Sequence, residues 1–131
     1  MNDNTGAPLC GVTHTDSQHE DEVRARLPSE DAAVDAAAVF ALLADTTRVR
    51  LLSMLAASDL CVCEMADLLG MSQPAISHHL RVLRQFDAIR FRKWGQRTVY
   101  YISDNETGET IKRLLNVAGC GRKQDDDEER K

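Results

Sequence analysis

The stretch Cys61-Val-Cys-Glu-Met-Ala-Asp-Leu-Leu-Gly-Met-Ser-Gln-Pro-Ala-Ile-Ser-His-His-Leu-Arg81 reads as two helices with a tight turn between them. Cys61 and Glu64 stand at the first and fourth places of a capping box, where Ser or Thr and Glu usually satisfy each other's backbone N–H groups. Met65, Leu68 and Leu69 give the helix that follows an apolar side, and Gly70 suits the left-handed position that ends a helix. Ser72 is then a strong N-cap, with Pro74 tolerated in the first turn. Helix, short glycine-bearing turn, helix is the helix-turn-helix pattern. In its second helix Ile76, Leu80 and Leu83 recur at i, i+4 and i+7 and are expected inside. Gln73, Ser77, Arg81 and Arg84 recur on another face, and all are residue types that bind bases or phosphates.

Working outward, the pattern changes to period two after Asp87. Ile89, Phe91 and Lys93 alternate with Arg90, Arg92 and Trp94; Gly95-Gln96 makes a turn, and Thr98 to Ile102 return as a second strand. A basic hairpin directly after such a helix is a wing. Upstream, Pro28-Ser29 opens a helix carrying Val34, Ala38, Ala41 and Leu42, and Asp45-Thr46 opens another with Val49, Leu52 and Leu55 on one face. Arg48 and Arg50 fall outside that stripe. A last amphipathic helix carries Ile111, Leu114, Leu115 and Ala118. The fold class expected is mainly α with a β-hairpin wing, a winged helix-turn-helix. Residues 1–28, polar and without periodicity, read as a flexible arm; 29–120 as the folded domain; 121–131 as a disordered charged tail.

At 131 residues the chain is long enough for one domain with a modest core. Asp3 and the lack of an apolar run nearby argue against a signal peptide, and no stretch approaches the roughly 20 apolar residues that cross a bilayer. A soluble, cytoplasmic protein with no membrane partner is expected. The net charge of −5 argues at first against nucleic acid. Its distribution argues for it: between Ser72 and Tyr101 there are six Arg or Lys and one acid, Asp87. That is the footprint a phosphate backbone selects. Gln73, Ser77 and Arg81 are expected in the major groove, with Ser72 and His78 beside them and Arg92, Lys93 and Arg97 on phosphates. His78 and His79, being adjacent, face different ways, one toward DNA and the other toward the domain.

Four cysteines remain to be explained, two of them Cys61 and Cys63. They could be buried core, a disulfide, a redox pair or half of a metal site. In a reducing compartment, paired cysteines more often mean metal or redox chemistry than disulfides. Residues two apart on a continuous helix point about 200° apart, so both could not face one ion. At a helix entrance Cys61 is outside helical geometry and can swing toward Cys63. The unpaired N–H groups there also favour thiolate, the form a metal needs. Two thiols leave a tetrahedral ion two ligands short. Cys10-Gly-Val-Thr-His14 in the arm is where the others are sought, with His19 as substitute for His14. Neither a Cys-x-x-Cys on a strand–helix unit nor a nucleophile–base constellation is present, so no enzyme and no small organic substrate are expected.

Leu43-Ala-Asp-Thr-Thr-Arg-Val-Arg-Leu-Leu52, Leu60-Cys-Val-Cys-Glu-Met-Ala66 and Ser72-Gln-Pro-Ala-Ile-Ser-His-His-Leu-Arg81 together resemble the ArsR/SmtB family of metal-responsive repressors, over about residues 30–120. The Leu-Cys-Val-Cys box and the Ser-His-His-Leu-Arg run are most similar to its CadC-like cadmium, lead and zinc sensors. The resemblance implies a homodimer that binds palindromic operator DNA and releases it when metal binds, derepressing resistance or efflux genes. Two recognition helices about a two-fold axis imply half-sites near one helical turn apart. The first and last helices are expected at the dimer interface, and the arm is implied to reach the opposite protomer. In those sensors the box cysteines are joined by an arm Cys-x3-Cys, so Cys10, Cys61 and Cys63 match and His14 replaces the fourth thiol. That set suits Zn(II) and Cd(II), with Pb(II) served by the three cysteines. The arsenite-sensing branch adds a cysteine where this chain has Ala66. A second family site on the last helix keeps Asp104 but meets Glu106, Val117 and Cys120 at its other positions, and is expected to be degenerate. The alternatives are a thiol-based redox sensor or an arsenite-responsive repressor of the same fold.

Overall fold

The computed structural model describes residues 17–121, which fall into two units divided between Val34 and Asp35. Among the described residues there are six helices and one antiparallel hairpin.

Within the stretch read as a flexible arm, Ser17–Arg26 is a helix, α1. None of its residues is buried, so there was no apolar stripe for periodicity to find. Its signal lies in charge instead. Glu20 falls in the first turn and Arg24 and Arg26 in the last, the order that complements the helix dipole. Cys10 and His14 lie outside the described residues, as do residues 122–131 of the charged tail. Glu30–Leu43 forms α2, started by Ser29, whose Oγ accepts from the Ala32 N–H at 3.1 Å.

In the larger unit, Asp45 caps α3, Thr46–Ala57, by accepting from the Arg48 N–H at 3.0 Å. Leu51, Leu52 and Leu55 of α3 are buried, while Val49 is only half-buried. Val62–Leu69 forms α4 and Gln73–Gln85 forms α5, with Gly70 between them at φ 63°, the left-handed value its position in the turn requires. Met65, Ile76, Leu80 and Leu83 close over the α3 leucines as the core. Each such side chain contributes about 1.5–3 kcal/mol by leaving water. Leu68, expected on the apolar side of α4, is instead 64% exposed. Ser72 accepts from the Ala75 N–H at 3.2 Å and so starts α5 as expected.

Ile89–Trp94 (β1) and Arg97–Ile102 (β2) pair in register from Ile89↔Ile102 to Trp94↔Arg97. Ile89 and Ile102 at the base of this hairpin are buried, as is Val99 further out, and Phe91 and Trp94 are exposed. Glu106–Val117 forms α6, capped by Asn105 and buried through Gly108, Ile111 and Leu115.

Asp87 fixes the angle between α5 and the wing. It holds φ 54°, uncommon for a residue with a side chain. Its carboxylate accepts two 3.0 Å bonds from Arg90 and one of 2.8 Å from Asn105 Nδ2. Those bonds, chiefly the ones from Arg90, hold the carboxyl below its ordinary pKa. A depressed carboxyl contributes stability that is present above the unfolded range of about pH 4 and is lost as pH falls through its folded value. Asp87→Asn should therefore flatten the acid limb of stability against pH, read from urea midpoints between about pH 2 and 5. Coincident acid limbs would exclude the role. A second constraint is Gly108, where an added Cβ would collide with the Ser103 carbonyl oxygen. Gly108→Ala is expected to cost about 1–3 kcal/mol in urea denaturation, the usual range for overpacking.

Candidate thiol site and nucleic-acid interface

Cys61 is the N-cap of α4 with extended backbone, φ −90° and ψ 166°. Its own N–H donates to Glu64 Oε1 at 3.0 Å, the reciprocal half of the capping box. Because Cys61 is not helical, its sulfur turns to Cys63 and the two Sγ atoms lie 3.0 Å apart. Both thiols are free; Cys61 is buried and Cys63 is exposed. Tetrahedral chelation with metal–sulfur bonds of about 2.3 Å separates two sulfurs by roughly 3.8 Å. The pair is therefore less than about one ångström from that spacing.

Arg97, from β2, completes the surroundings. Its Nη2 donates to Cys61 Sγ at 3.2 Å and lies 3.5 Å from Glu64 Oε1. Burial pushes the Cys61 thiol up, whereas the Cys61 S–H bond and the Arg97 cation draw the Cys63 thiol down. Cys63 is thus the sulfur that ionises first. Glu64 is held below the ordinary carboxylate range, chiefly by the Cys61 N–H.

The hairpin is fastened to this segment elsewhere as well. Arg92 Nη2 meets Asp59 Oδ2 at 2.6 Å, and Leu60 and Tyr100 exchange backbone hydrogen bonds of 3.2 and 2.7 Å. Two of the three basic wing residues expected on phosphates, Arg92 and Arg97, are thus engaged within the protein, while Lys93 is exposed. Which strand edge receives the 59–64 segment is a tertiary fact, and no sequence signal could have placed Arg97 beside a thiol.

On α5, Gln73, His78 and Arg81 are exposed and Ser77 is half-buried, all on a helix whose opposite side is core. Arg84 lies 4.5 Å over the Phe91 ring, joining the end of α5 to the wing. The two histidines diverge as the sequence implied: His78 is exposed, and His79 Nδ1 accepts from Arg48 Nε at 3.3 Å. Arg48 Nη1 also donates to the Leu42 carbonyl at 3.2 Å, linking the end of α2 to α5 through one side chain. Sequence reasoning placed Arg48 outside the apolar stripe and gave it no role.

Among the described residues no group of three or more His, Cys, Asp or Glu is placed to hold a metal ion. Cys61 and Cys63 are two donors. Cys120 is free and exposed beyond α6, and His19 sits on α1 in the other unit.

A two-helix reading unit followed by a basic hairpin defines a winged helix-turn-helix, a DNA-binding class. Residues 45–87 match the family described as bacterial regulatory protein, arsR family. Over 102 residues the chain is 36% identical to the "Transcriptional repressor SmtB homolog" of Synechocystis, covering 78% of this chain and 77% of that protein. It is 37% identical over 113 residues to the "Cadmium resistance transcriptional regulatory protein CadC homolog" of Staphylococcus aureus, covering 84% and 88%. The solution structure of a homodimeric winged helix-turn-helix DNA-binding domain, Mb0332 from Mycobacterium bovis, superposes with a TM-score of 0.59 at 25% identity, covering 71% of this chain and 88% of that one. The chain belongs to the arsR family of bacterial transcriptional regulators and is a DNA-binding protein, not an enzyme.

The unequal thiols make a direct prediction. Iodoacetamide should alkylate Cys63 before Cys61, by about tenfold or more in rate, followed by peptide mass spectrometry. Equal rates would mean that the burial of Cys61 does not protect it.

Proposed function

We propose that this protein is a metal-responsive repressor that binds an imperfect palindrome as a homodimer and releases it on capturing a soft divalent cation. The observation that carries the reading is the pair of free sulfurs, 3.0 Å apart, at the start of the helix that leads into the recognition helix of an arsR-family chain. Cys61 and Cys63 would supply two thiolates, and Cys10 and His14 the remaining donors. This donor set suits Cd(II) and Zn(II), and its three thiols suit Pb(II). Binding there neutralises thiolate charge and ties the arm to the N-terminus of α4.

Gln73, Ser77 and Arg81 are assigned to base edges, with Ser72 and His78 at their side and Lys93 on a phosphate. Arg92 and Arg97 reach phosphates only by leaving Asp59 and Cys61. For the dimer, exposed apolar side chains on two helices of the larger unit support self-association: Val39 and Phe40 on α2, Leu114 on α6. They border an open groove of about 350 Å³ floored by Leu42 and Ile111. A second copy is the occupant that fits, given the homodimeric relative of the same fold. Derepression then follows from linkage. A cation held more tightly by the DNA-free dimer lowers DNA affinity by the same factor, on the order of 5–150-fold for common couplings.

The free sulfurs in contact also favour a second reading, a thiol redox sensor that uses Cys61 and Cys63 without Cys10. One titration separates the two. DNA binding is measured with Zn(II), Cd(II), Pb(II) and As(III) for the wild type and for Cys10→Ser, Cys61→Ser and Cys63→Ser. Metal sensing predicts that Cd(II), Zn(II) or Pb(II) releases DNA from the wild type only, each substitution blunting the response. Release that survives loss of Cys61 and Cys63 would sink the proposal. An oxidant response intact in Cys10→Ser would establish the redox reading in its place.

A further inference from the structure

We infer that Arg48 is a positioning residue for DNA recognition: it locks the angle between α2 and the recognition helix α5, and so sets the half-site spacing that the dimer accepts. This role rests on the homodimer reading above, with Val39 and Phe40 of α2 at the two-fold axis.

The end of α2 is seated by few side chains. Leu42 is the one buried residue of the helix, while Val39 and Phe40 are exposed. A single buried leucine resists sliding but leaves a helix free to pivot. Arg48 removes that pivot. Leu42 lies in the last turn of α2, where carbonyls lack partners within the helix, and its oxygen accepts from Arg48 Nη1 at 3.2 Å. Nε of the same guanidinium donates to His79 Nδ1 at 3.3 Å, in the middle of α5. A planar fork holds the two bonds in a fixed relative direction, which a flexible ammonium could not. The arginine is itself held, because Asp45 accepts from its backbone N–H at 3.0 Å in the first turn of α3. Arg48 and His79 are both half-buried, whereas Arg50 is exposed. Nor can α5 yield, since Ile76, Leu80 and Leu83 are buried. One side chain therefore sets where α2 points while α5 lies in the major groove. Across a two-fold axis any tilt is applied twice. A reading head about 17 Å from the axis, half the roughly 34 Å between half-sites, moves about 1 Å for a tilt of about 3–4°. With the link intact, the second head meets its half-site at the effective concentration of a rigid dimer. With the link lost, the heads spread over several spacings, so that concentration falls at the correct spacing and rises at the wrong ones.

The experiment uses the full chain without metal and a palindrome isolated by repeated selection from random duplexes. Affinity is measured for that palindrome, for versions with one base pair added or removed at its centre, and for a duplex with a single half-site. The wild type should lose on the order of tenfold or more when the spacing changes. Arg48→Ala should bind the single half-site as the wild type does. It should bind the correctly spaced palindrome about 5-fold or more weaker, and lose less than about 3-fold when the spacing changes. His79→Ala removes the α5 end of the link, keeps the Leu42 end, and should behave alike. The double variant should do no more than either single one, because all three cut one link. Circular dichroism checks folding and sedimentation checks assembly; if Arg48→Ala does not fold, His79→Ala decides. Discrimination between spacings that survives unchanged in His79→Ala overturns the inference. So does an equal loss on the single half-site and the palindrome, which would make the pair a part of one reading head alone. A wild type that sediments as a monomer would instead remove the homodimer reading, and the inference with it.

Discussion

The extended backbone at Cys61 is the constraint on which the thiol site depends. A capping position is the one place where consecutive helical geometry is suspended, so a side chain there can turn toward a neighbour that a helix would aim elsewhere. Cys61 uses that freedom to meet Cys63, while Glu64 returns to satisfy the Cys61 N–H and fixes the turn. One residue thus has two tasks: it begins α4, and it holds a soft donor. The tasks are coupled, because any force on the sulfur acts on the first turn of a helix whose far end is the turn into α5. The cost is a weaker cap than serine would provide, since a thiol is a poor hydrogen-bond acceptor.

The same economy governs α5. Its buried side, through Ile76, Leu80 and Leu83, belongs to the core, so its exposed side cannot roll independently of the domain. Two side-chain links hold it, one at its middle and one near its C-terminal end. Arg48 joins His79 to the Leu42 carbonyl at the end of α2, and Arg84 lies over Phe91 of the wing. The orientation of the recognition helix is thereby tied both to the helix that carries Val39 and Phe40 and to the hairpin. Asp87 sets the remaining angle, taking bonds from Arg90 and Asn105 where α5 gives way to β1.

The sequence carried most of this architecture because the relevant signals are local. Ser72 and Asp45 as caps, Gly70 as helix end, and the i, i+4, i+7 repeat from Ile76 are all written within a few residues of where they act. What was hidden is either non-periodic or long-range. α1 has no buried residue, so hydrophobic spacing was silent about it. Leu68 has the spacing of a core residue and is exposed because only part of the α4 surface is covered. Arg92 and Arg97 have the composition of phosphate ligands, but their partners, Asp59 and Cys61, lie 33 and 36 residues away in sequence. Charge alone does not say whether an arginine waits for DNA or is already occupied. The residues proposed to hold metal divide the same way: Cys61 and Cys63 were legible from a capping box, whereas Cys10 and His14 lie outside the described residues.

The backbone exchange between Leu60 and Tyr100 has a consequence for how such a protein diversifies. An isolated two-stranded ribbon is marginal in water, and here a single residue of a third segment braces it. That brace consists of peptide groups, which every residue except proline carries in full. Side chains around it can therefore drift, and with them the preference for one DNA sequence over another, while the mechanical seat of the wing is inherited unchanged. The seat of the wing and its recognition surface can therefore change independently, because the backbone brace is indifferent to the side chains it carries.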